Sequence, residues 1–189
     1  MTETSSLVGR LLLAMPGIGD PRFEQAVILV CAHDVDHAMG IRLNEAAEDL
    51  PLGLLFERLG VEGRPVDPAQ AVLAGGPVEQ ERGFVLHTDD HFDRNASLAD
   101  GEGLAITATR DVLKAMTDPS TAPRRSVLAL GYAGWGEGQL DEELRENVWL
   151  TADADDDILF DQDHDTKWAR AIARIGVDVA HLSGQAGTA

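Results

Sequence analysis

Short apolar runs bounded by turn residues recur along the chain, and their lengths are typical of buried strands. Ala26–Ala32 is rich in β-branched residues, and Ala38–Leu43 returns after a polar turn. Ser126–Leu130 is a further strong apolar run. Shorter strand candidates are Ala71–Ala74, Phe84–His87 and Leu104–Thr107. The spacings predict two hairpins, 26–32 with 38–43 and 71–74 with 84–87.

Other segments carry apolar residues at helical spacing. In the first, after Asn44, leucines recur up to Leu59, and Gly60 supplies a stop. The other predicted helices are Thr109–Met116 with Thr109 as its cap, Leu140–Trp149, and Thr166–Ile175 with Asp165 as its cap. Because the strands do not alternate regularly with long helices, the pattern favours an α+β fold, a mixed β-sheet flanked by several short helices, over a doubly wound fold.

The length of 189 residues suits one domain, and no linker-like segment divides it. We expect a single compact domain over residues 7–182, with flexible tails at residues 1–6 and 183–189, which are small and polar. A hydrophobic content of 44% is ordinary for a globular protein.

The chain is strongly acidic, with 33 Asp and Glu against 15 Lys and Arg and a formal net charge of −18. Such a field repels nucleic acids and anionic membranes, and Arg124–Arg125 is the only adjacent basic pair, so direct nucleic-acid binding is disfavoured. The apolar stretch Leu11–Met15 is too short to anchor the chain in a membrane. The single cysteine, Cys31, permits no intramolecular disulfide. We therefore expect a cytoplasmic protein without membrane contact.

The segment with the most distinctive pattern is Gly131–Trp149, where four glycines precede a predicted helix. Glycines before a helix can expose backbone N–H groups to an anion. This segment has no lysine, and Asp141 stands where a dinucleotide motif requires its third glycine, so known phosphate loops do not fit. A tight turn with Tyr132 and Trp135 packed nearby is the simpler interpretation, and a small anionic ligand at Gly134–Gly138 is the alternative.

Three clusters contain metal-ligand residue types. His33–His37 lies in a predicted hairpin turn, and His87–His91 is a second histidine and aspartate cluster. The two would form one site if the fold brought them together, which the sequence leaves open. Neither has the spacing of a zinc site. The acidic stretch Asp153–Asp165 fails the calcium-loop pattern in both registers and is better explained as a solvated face. The three clusters therefore lead us to predict no metal and no cofactor. No nucleophile elbow is present, so the sequence identifies no catalytic residue.

Seven pieces of the chain carry a resemblance to a known family: Leu11–Phe23, Cys31–Asp34, Met39–Asn44, Ala74–Val78, Phe84–His87, Gly131–Trp149 and Leu159–Gly176. Taken together, they resemble the bacterial AlgH/YqgE family. The resemblance implies a coiled mixed sheet in a compact α+β domain, and it carries no accepted catalytic residues or cofactor. Some family members bear a transcriptional-regulator label. Because the acidity of this chain disfavours direct contact with DNA, the resemblance implies an indirect regulatory role. Arg42 is charged at a strand position where an apolar residue would fit the family pattern, so we expect its side chain on an exposed face.

Two hypotheses for the function follow. The first is an uncharacterised, non-catalytic binding or indirectly regulatory protein that recognises an unknown protein partner or a small ligand. The second is an enzyme or sensor of a small anionic ligand that uses the Gly134–Gly138 turn. The candidate surface comprises Asn44, Gly75, Gly76, Pro77, Tyr132, Trp135 and Gln139.

Overall fold

The computed structural model describes residues 6–91, 97–99 and 103–178. These form two compact units: unit 1 contains the residues up to 44 and from 133 onward, and unit 2 contains residues 45–132. The expected tails, residues 1–6 and 183–189, lie outside the described residues except for Ser6. That residues 7–182 form a single domain stays a prediction. No helix of the described residues is long and apolar enough to span a membrane.

Strands and short helices alternate irregularly in the described residues, which confirms the prediction of an α+β fold with a mixed sheet. The strands are β1 (Arg10–Ala14), β2 (Val27–His33), β3 (Ala38–Arg42), β4 (Ala46–Pro51), β5 (Ala71–Ala74), β6 (Val78–Thr88), β7 (Ser97–Ala99), β8 (Leu104–Thr107), β9 (Ser126–Trp135) and β10 (Trp149–Asp153). The α-helices are α1 (Leu52–Leu59), α2 (Arg110–Ala115), α3 (Gln139–Arg145), α4 (Asp156–Phe160) and α5 (Lys167–Arg174).

Unit 1 is built on an antiparallel sheet in the order β10-β1-β2-β3, followed by the last residues of β9. The hairpin predicted between residues 26–32 and 38–43 is confirmed as β2 and β3. One face of this sheet packs into an apolar core. The buried members of that core are Leu12, Ala14, Ala26, Ile28, Val30, Ala38, Ala133, Trp135, Leu140 and Trp149.

Unit 2 is built around the first residues of β9, which pair on one side with β5 in parallel and on the other with β6 antiparallel. Ala129 faces Leu73 across one ladder and Phe84 across the other. The hairpin predicted between residues 71–74 and 84–87 is therefore wrong, because a later strand lies between the two. Beyond these, β4 pairs with β5, and β8 pairs with both β6 and β7.

The strand and helix around Gly131–Trp149 begin and end differently from the prediction. The strand expected to end at Leu130 continues to Trp135, because Gly131 takes a φ of +76° within the ladder. The helix expected to reach Trp149 ends at Arg145, and Asn147 follows with a φ of +58°. Asparagine tolerates this left-handed conformation better than most residues, so the chain turns there and Trp149 starts β10.

Other helix ends also differ from the sequence pattern. Residues 46–51 form β4, so the first helix starts at Leu52, whereas its end at a left-handed Gly60 with φ +67° is confirmed. Thr109 precedes α2 but makes no side-chain cap bond, and Thr166, also without such a bond, takes the N-cap position expected for Asp165. Inside the acidic stretch, α4 buries Ile158, Leu159 and Phe160, so this segment is more than a solvated face.

Candidate functional site

In unit 1, one carboxylate joins two tryptophans of the segment Gly131–Trp149. Oε2 of Glu143 accepts a hydrogen bond from Nε1 of Trp135 and another from Nε1 of Trp149, each at 2.8 Å. The two indole rings meet edge to face with centroids 6.0 Å apart, and 6% of Trp135 and 4% of Trp149 are exposed. A buried indole N–H requires an acceptor, and Glu143 supplies one acceptor for both. We call Glu143, Trp135 and Trp149 the indole clamp.

The turn before α3 is closed by its own side chain. Oε1 of Gln139 accepts the N–H of Gly136 at 3.0 Å, and Nε2 of Gln139 donates to Oε1 of Glu143 at 3.1 Å. The N–H of Gly136 is thus used within the turn, and Asp141 and Glu142 add negative charge to the first turn of the helix. The N–H of Gly136 is therefore not available to an anion at Gly134–Gly138, and Gln139 itself is exposed.

Asn44 also serves the fold of unit 1. Its Oδ1 accepts the backbone N–H of Val27 at 3.0 Å and Nε of Arg42 at 3.1 Å, and its Nδ2 donates to the carbonyl of Gln25 at 2.8 Å. The guanidinium of Arg42 further donates to the carbonyls of Arg22 at 2.6 Å and Glu24 at 3.2 Å. Arg42 is therefore half-buried and binds backbone groups, which accounts for a charge in this strand.

In unit 2, two glycine-containing pieces of the family resemblance, Ala74–Val78 and the start of Gly131–Trp149, meet backbone to backbone. The N–H of Gly75 donates to the carbonyl of Leu130 at 2.8 Å. A Cβ on Gly75 would overlap the carbonyl oxygen of Gly131, and a Cβ on Gly131 would lie 2.5 Å from that of Gly76. Glycine is therefore required here by close approach, as the neighbouring strands β5 and β9 run side by side.

The partly exposed members of the candidate surface in unit 2 are Gly76, Pro77 and Tyr132. The Tyr132 ring packs edge to face on Phe84, with centroids 6.0 Å apart. A hydrogen bond to Glu79 and partial burial raise the pKa of Tyr132. Within the candidate surface, Trp135 and Asn44 are thus committed to packing and hydrogen bonds, and a partner surface at the remaining residues stays a prediction.

The histidine cluster of unit 1 is occupied by local contacts. His33 is almost fully buried; its Nδ1 accepts the N–H of Leu7 at 3.2 Å, and its Nε2 lies 3.4 Å from Oδ1 of Asp141. Oδ1 of Asp34 accepts the N–H groups of Asp36 and His37, and these bonds lower the pKa of Asp34. The cluster therefore forms a structured hairpin turn.

The histidine cluster of unit 2 is similarly engaged. His87 is fully buried, with Nδ1 2.8 Å from the Thr88 carbonyl and Nε2 2.7 Å from Oγ1 of Thr107. Burial lowers the pKa of His87, so its neutral form donates from Nδ1 and accepts at Nε2. Across residues 6–91, 97–99 and 103–178, no group of three or more His, Cys, Asp or Glu is arranged to hold a metal ion.

Two buried reactive groups lie in unit 1. Cys31 is buried, and desolvation raises the pKa of its thiol to about 12, so the thiolate nucleophile is suppressed. Lys167 is fully buried with Nζ 2.9 Å from the carbonyl of Leu43, and burial lowers its pKa to about 8. The sequence interpretation missed Lys167, although its spacing from the buried Ala171 places it on the apolar face of α5.

A cavity of about 520 Å³ opens in unit 2, and no single sequence motif indicates it. Its apolar wall comes from β4, α1, β6, α2 and β9, and several of these side chains also belong to the core of unit 2. Arg58, Arg110 and Glu81 supply its charged lining. The apolar wall comprises Leu50, Leu55, Leu59, Val85, Leu113, Leu128 and Leu130.

Comparison with known proteins gives one consistent result. A family described as AlgH-like matches residues 11–180. A UPF0301 protein of Caulobacter vibrioides is 56% identical over 183 residues, which cover 97% of this chain and 94% of the relative. The solution structure of the AlgH protein from Pseudomonas aeruginosa is 38% identical, with a TM-score of 0.76 over 100% of this chain and 99% of that one. A Corynebacterium diphtheriae crystal structure, 21% identical, has a TM-score of 0.77 over 97% and 94% of the two chains and is alike in fold alone.

Proposed function

The chain belongs to the AlgH-like family, and we propose that it is a non-catalytic binding protein that takes a small ligand in the cavity of unit 2. The cavity is the observation that carries this proposal. Small-molecule sites are concave, mostly apolar and supplied with a few polar groups, and their volumes are about 300–1,000 Å³. The cavity has this composition and lies within this range.

The engagement of the reactive side chains supports a non-catalytic role. Glu143 is hydrogen-bonded to the two indoles of the clamp, and His87 is hydrogen-bonded to Thr88 and Thr107. Burial keeps the Cys31 thiol protonated. A catalytic group needs a pKa suited to its task and a position within reach of the substrate. Cys31, at a pKa of about 12, lacks a suitable pKa. Lys167 and His87 are fully buried and hydrogen-bonded, Lys167 to the carbonyl of Leu43 and His87 at both ring nitrogens, so neither lies within reach of a substrate.

A regulatory role fits a binding protein better than a DNA-contacting one. The net charge of −18 opposes the phosphate backbone, so regulation would act through the bound ligand or a protein partner. A cytoplasmic location is part of the same proposal, because the lone cysteine is buried and protonated and the chain has no second cysteine for an internal disulfide.

The test is to fill the cavity without disturbing the fold. Gly83 lines the cavity, and a Cβ there would be 3.7 Å from Cδ2 of Leu130, an ordinary contact. Gly83→Leu should therefore fold and occupy ligand space. Gly136→Leu adds the same side chain at an exposed position outside the cavity and serves as the control.

The neutral solvatochromic dye Nile red reports the result. We expect saturable binding with a blue-shifted emission for the unmodified chain and for Gly136→Leu, and loss of binding for Gly83→Leu at unchanged unfolding midpoint. Equal dye affinity in a folded Gly83→Leu protein would show that the cavity is not the binding site.

A further inference from the structure

Building on the proposed function, we propose that the cavity of unit 2 selects a single-chain amphipathic carboxylate, with its hydrocarbon chain on the leucine wall and its carboxylate beside Arg58 and Arg110. The inference depends on the cavity being a ligand site, and it adds the chemical class. The observations that carry it are the composition of the wall, the charges of the lining and the state of the polar groups that are buried.

The wall favours a hydrocarbon chain. Six leucines and Val85 line the cavity, and Leu128 and Val85 are 2% exposed. Burial of one methylene group on such a wall stabilises binding by an amount equivalent to about a fourfold gain in affinity. A chain of several methylenes therefore supplies most of the affinity without any directed hydrogen bond.

The charged lining favours an anion. The chain as a whole has 33 acidic and 15 basic residues, yet the cavity is lined by two arginines and one glutamate. Arg110 donates to the carbonyl of Leu59, which holds its guanidinium at the end of α1. Arg58 is exposed and has no hydrogen-bond or ion-pair partner among the described residues, so its charge is available to a ligand.

The cationic lining places the ligand charge at the arginines. Thr107 is 1% exposed, and its hydroxyl is hydrogen-bonded to Nε2 of His87. Burial lowers the pKa of His87 and so favours its neutral form, and the cationic residues that line the cavity are Arg58 and Arg110. Glu81 also lines the cavity, and its charge disfavours a doubly charged phosphate more than a singly charged carboxylate.

The experiment is calorimetric titration of the whole chain with octanoate, decanoate and dodecanoate, each below its micellar concentration. Decanol and decyltrimethylammonium carry the same chain with neutral and positive heads. Three charge variants accompany them: Arg58→Gln, Glu81→Gln, and Arg64→Gln, an exposed arginine of unit 2 outside the cavity that serves as the control.

We expect each added pair of methylenes to tighten binding by about sixteenfold, from about fourfold per methylene. Decanoate should bind more tightly than decanol or the cation. Arg58→Gln should weaken decanoate by about two- to fivefold, and Glu81→Gln should strengthen it to a similar degree, as for partly screened charges. Decanol binding should be unchanged in both variants, and Arg64→Gln should leave every affinity unchanged.

The outcomes separate this inference from the proposed function. Equal binding of decanol and decanoate, or tighter binding of the cation, would overturn the carboxylate assignment; if Gly83→Leu still abolished that binding, the cavity would remain the site. Binding of decanoate that resists Gly83→Leu would overturn both. Failure of Nile red and of every amphiphile to bind would also overturn both.

Discussion

Removal of the Glu143 carboxylate should destabilise unit 1 much more than its position on a short surface helix suggests. In Glu143→Ala, the indole N–H groups of Trp135 and Trp149 both lose their acceptor while remaining buried. An unsatisfied buried donor costs about 1–3 kcal/mol. The bond from Gln139 to the other carboxylate oxygen is exposed and adds about 0.5 kcal/mol at most.

These terms sum to about 2–6 kcal/mol, and alanine recovers a few tenths of a kcal/mol through its higher helix propensity. We expect a loss of about 3 kcal/mol, because relaxation will admit water to one of the two indoles. That is a large part of the 5–15 kcal/mol typical of a folded domain. Urea unfolding followed by tryptophan fluorescence measures it as a lower midpoint at unchanged slope.

Glu142→Ala is the matched control, since Glu142 is exposed, neighbours Glu143 in α3 and makes no side-chain hydrogen bond among the described residues. It should change stability by less than about 0.5 kcal/mol. A double-mutant cycle with Trp135→Phe sharpens the test. In the Glu143→Ala background, Trp135→Phe removes an unsatisfied donor, so it should cost at least about 1 kcal/mol less than in the unmodified chain. Equal effects of Glu142→Ala and Glu143→Ala, or an additive cycle, would refute the clamp.

Three further predictions rest on other positions. Gly131→Ala should destabilise the chain well beyond Gly138→Ala. Both glycines have a positive φ, but of the two only a Cβ at Gly131 meets a backbone oxygen, that of Gly76. Thermal unfolding compares the two variants, and equal losses of stability would contradict the steric argument. Burial lowers the pKa of Lys167 from 10.5 to about 8, so between these pH values the unfolded state binds more protons. The free energy of unfolding should then gain up to about 3 kcal/mol as pH rises through that window, and urea midpoints of Lys167→Met should lack this gain. Cys31 should resist a thiol reagent at pH 8 in the folded chain and react after unfolding in urea, because its thiol pKa is about 12; fast reaction in the native state would disprove its burial.

Local patterns predicted the strands more successfully than their partners. The run Ala26–Ala32 and its return at Ala38–Leu43 are separated by a short turn, so adjacency in sequence also gave adjacency in the sheet. Between Ala71–Ala74 and Phe84–His87 the same rule failed, because β9, which follows some forty residues later, pairs with both. The pairing depends on long-range contacts that no short window contains.

The candidate site shows the same division. A tight turn near Trp135 could be predicted from its glycines, but the acceptor that fixes Trp135 and Trp149 could not, because three residues of different elements must meet at one oxygen. Burial of Lys167 was not predicted, because a lysine at the start of a helix is ordinarily exposed, and the structure places it on the same buried face as Ala171. The cavity was out of reach, because five separate elements contribute its apolar wall.

The residues that identify the family and the residues that line the cavity are largely different. Of the side chains lining the cavity, Val85 is the one that falls within the pieces carrying the family resemblance. Those pieces supply the indole clamp, the Asn44 bonds and the close approach of Gly75 to Gly131, all of which hold strands and turns in place. If the proposed ligand site is correct, changes at Arg58 or Glu81 should alter the preferred ligand without altering the fold, because neither side chain makes a hydrogen bond or ion pair among the described residues. The pieces that carry the family resemblance therefore hold the fold, whereas the proposed ligand is inferred from the apolar wall and the charged lining of the cavity.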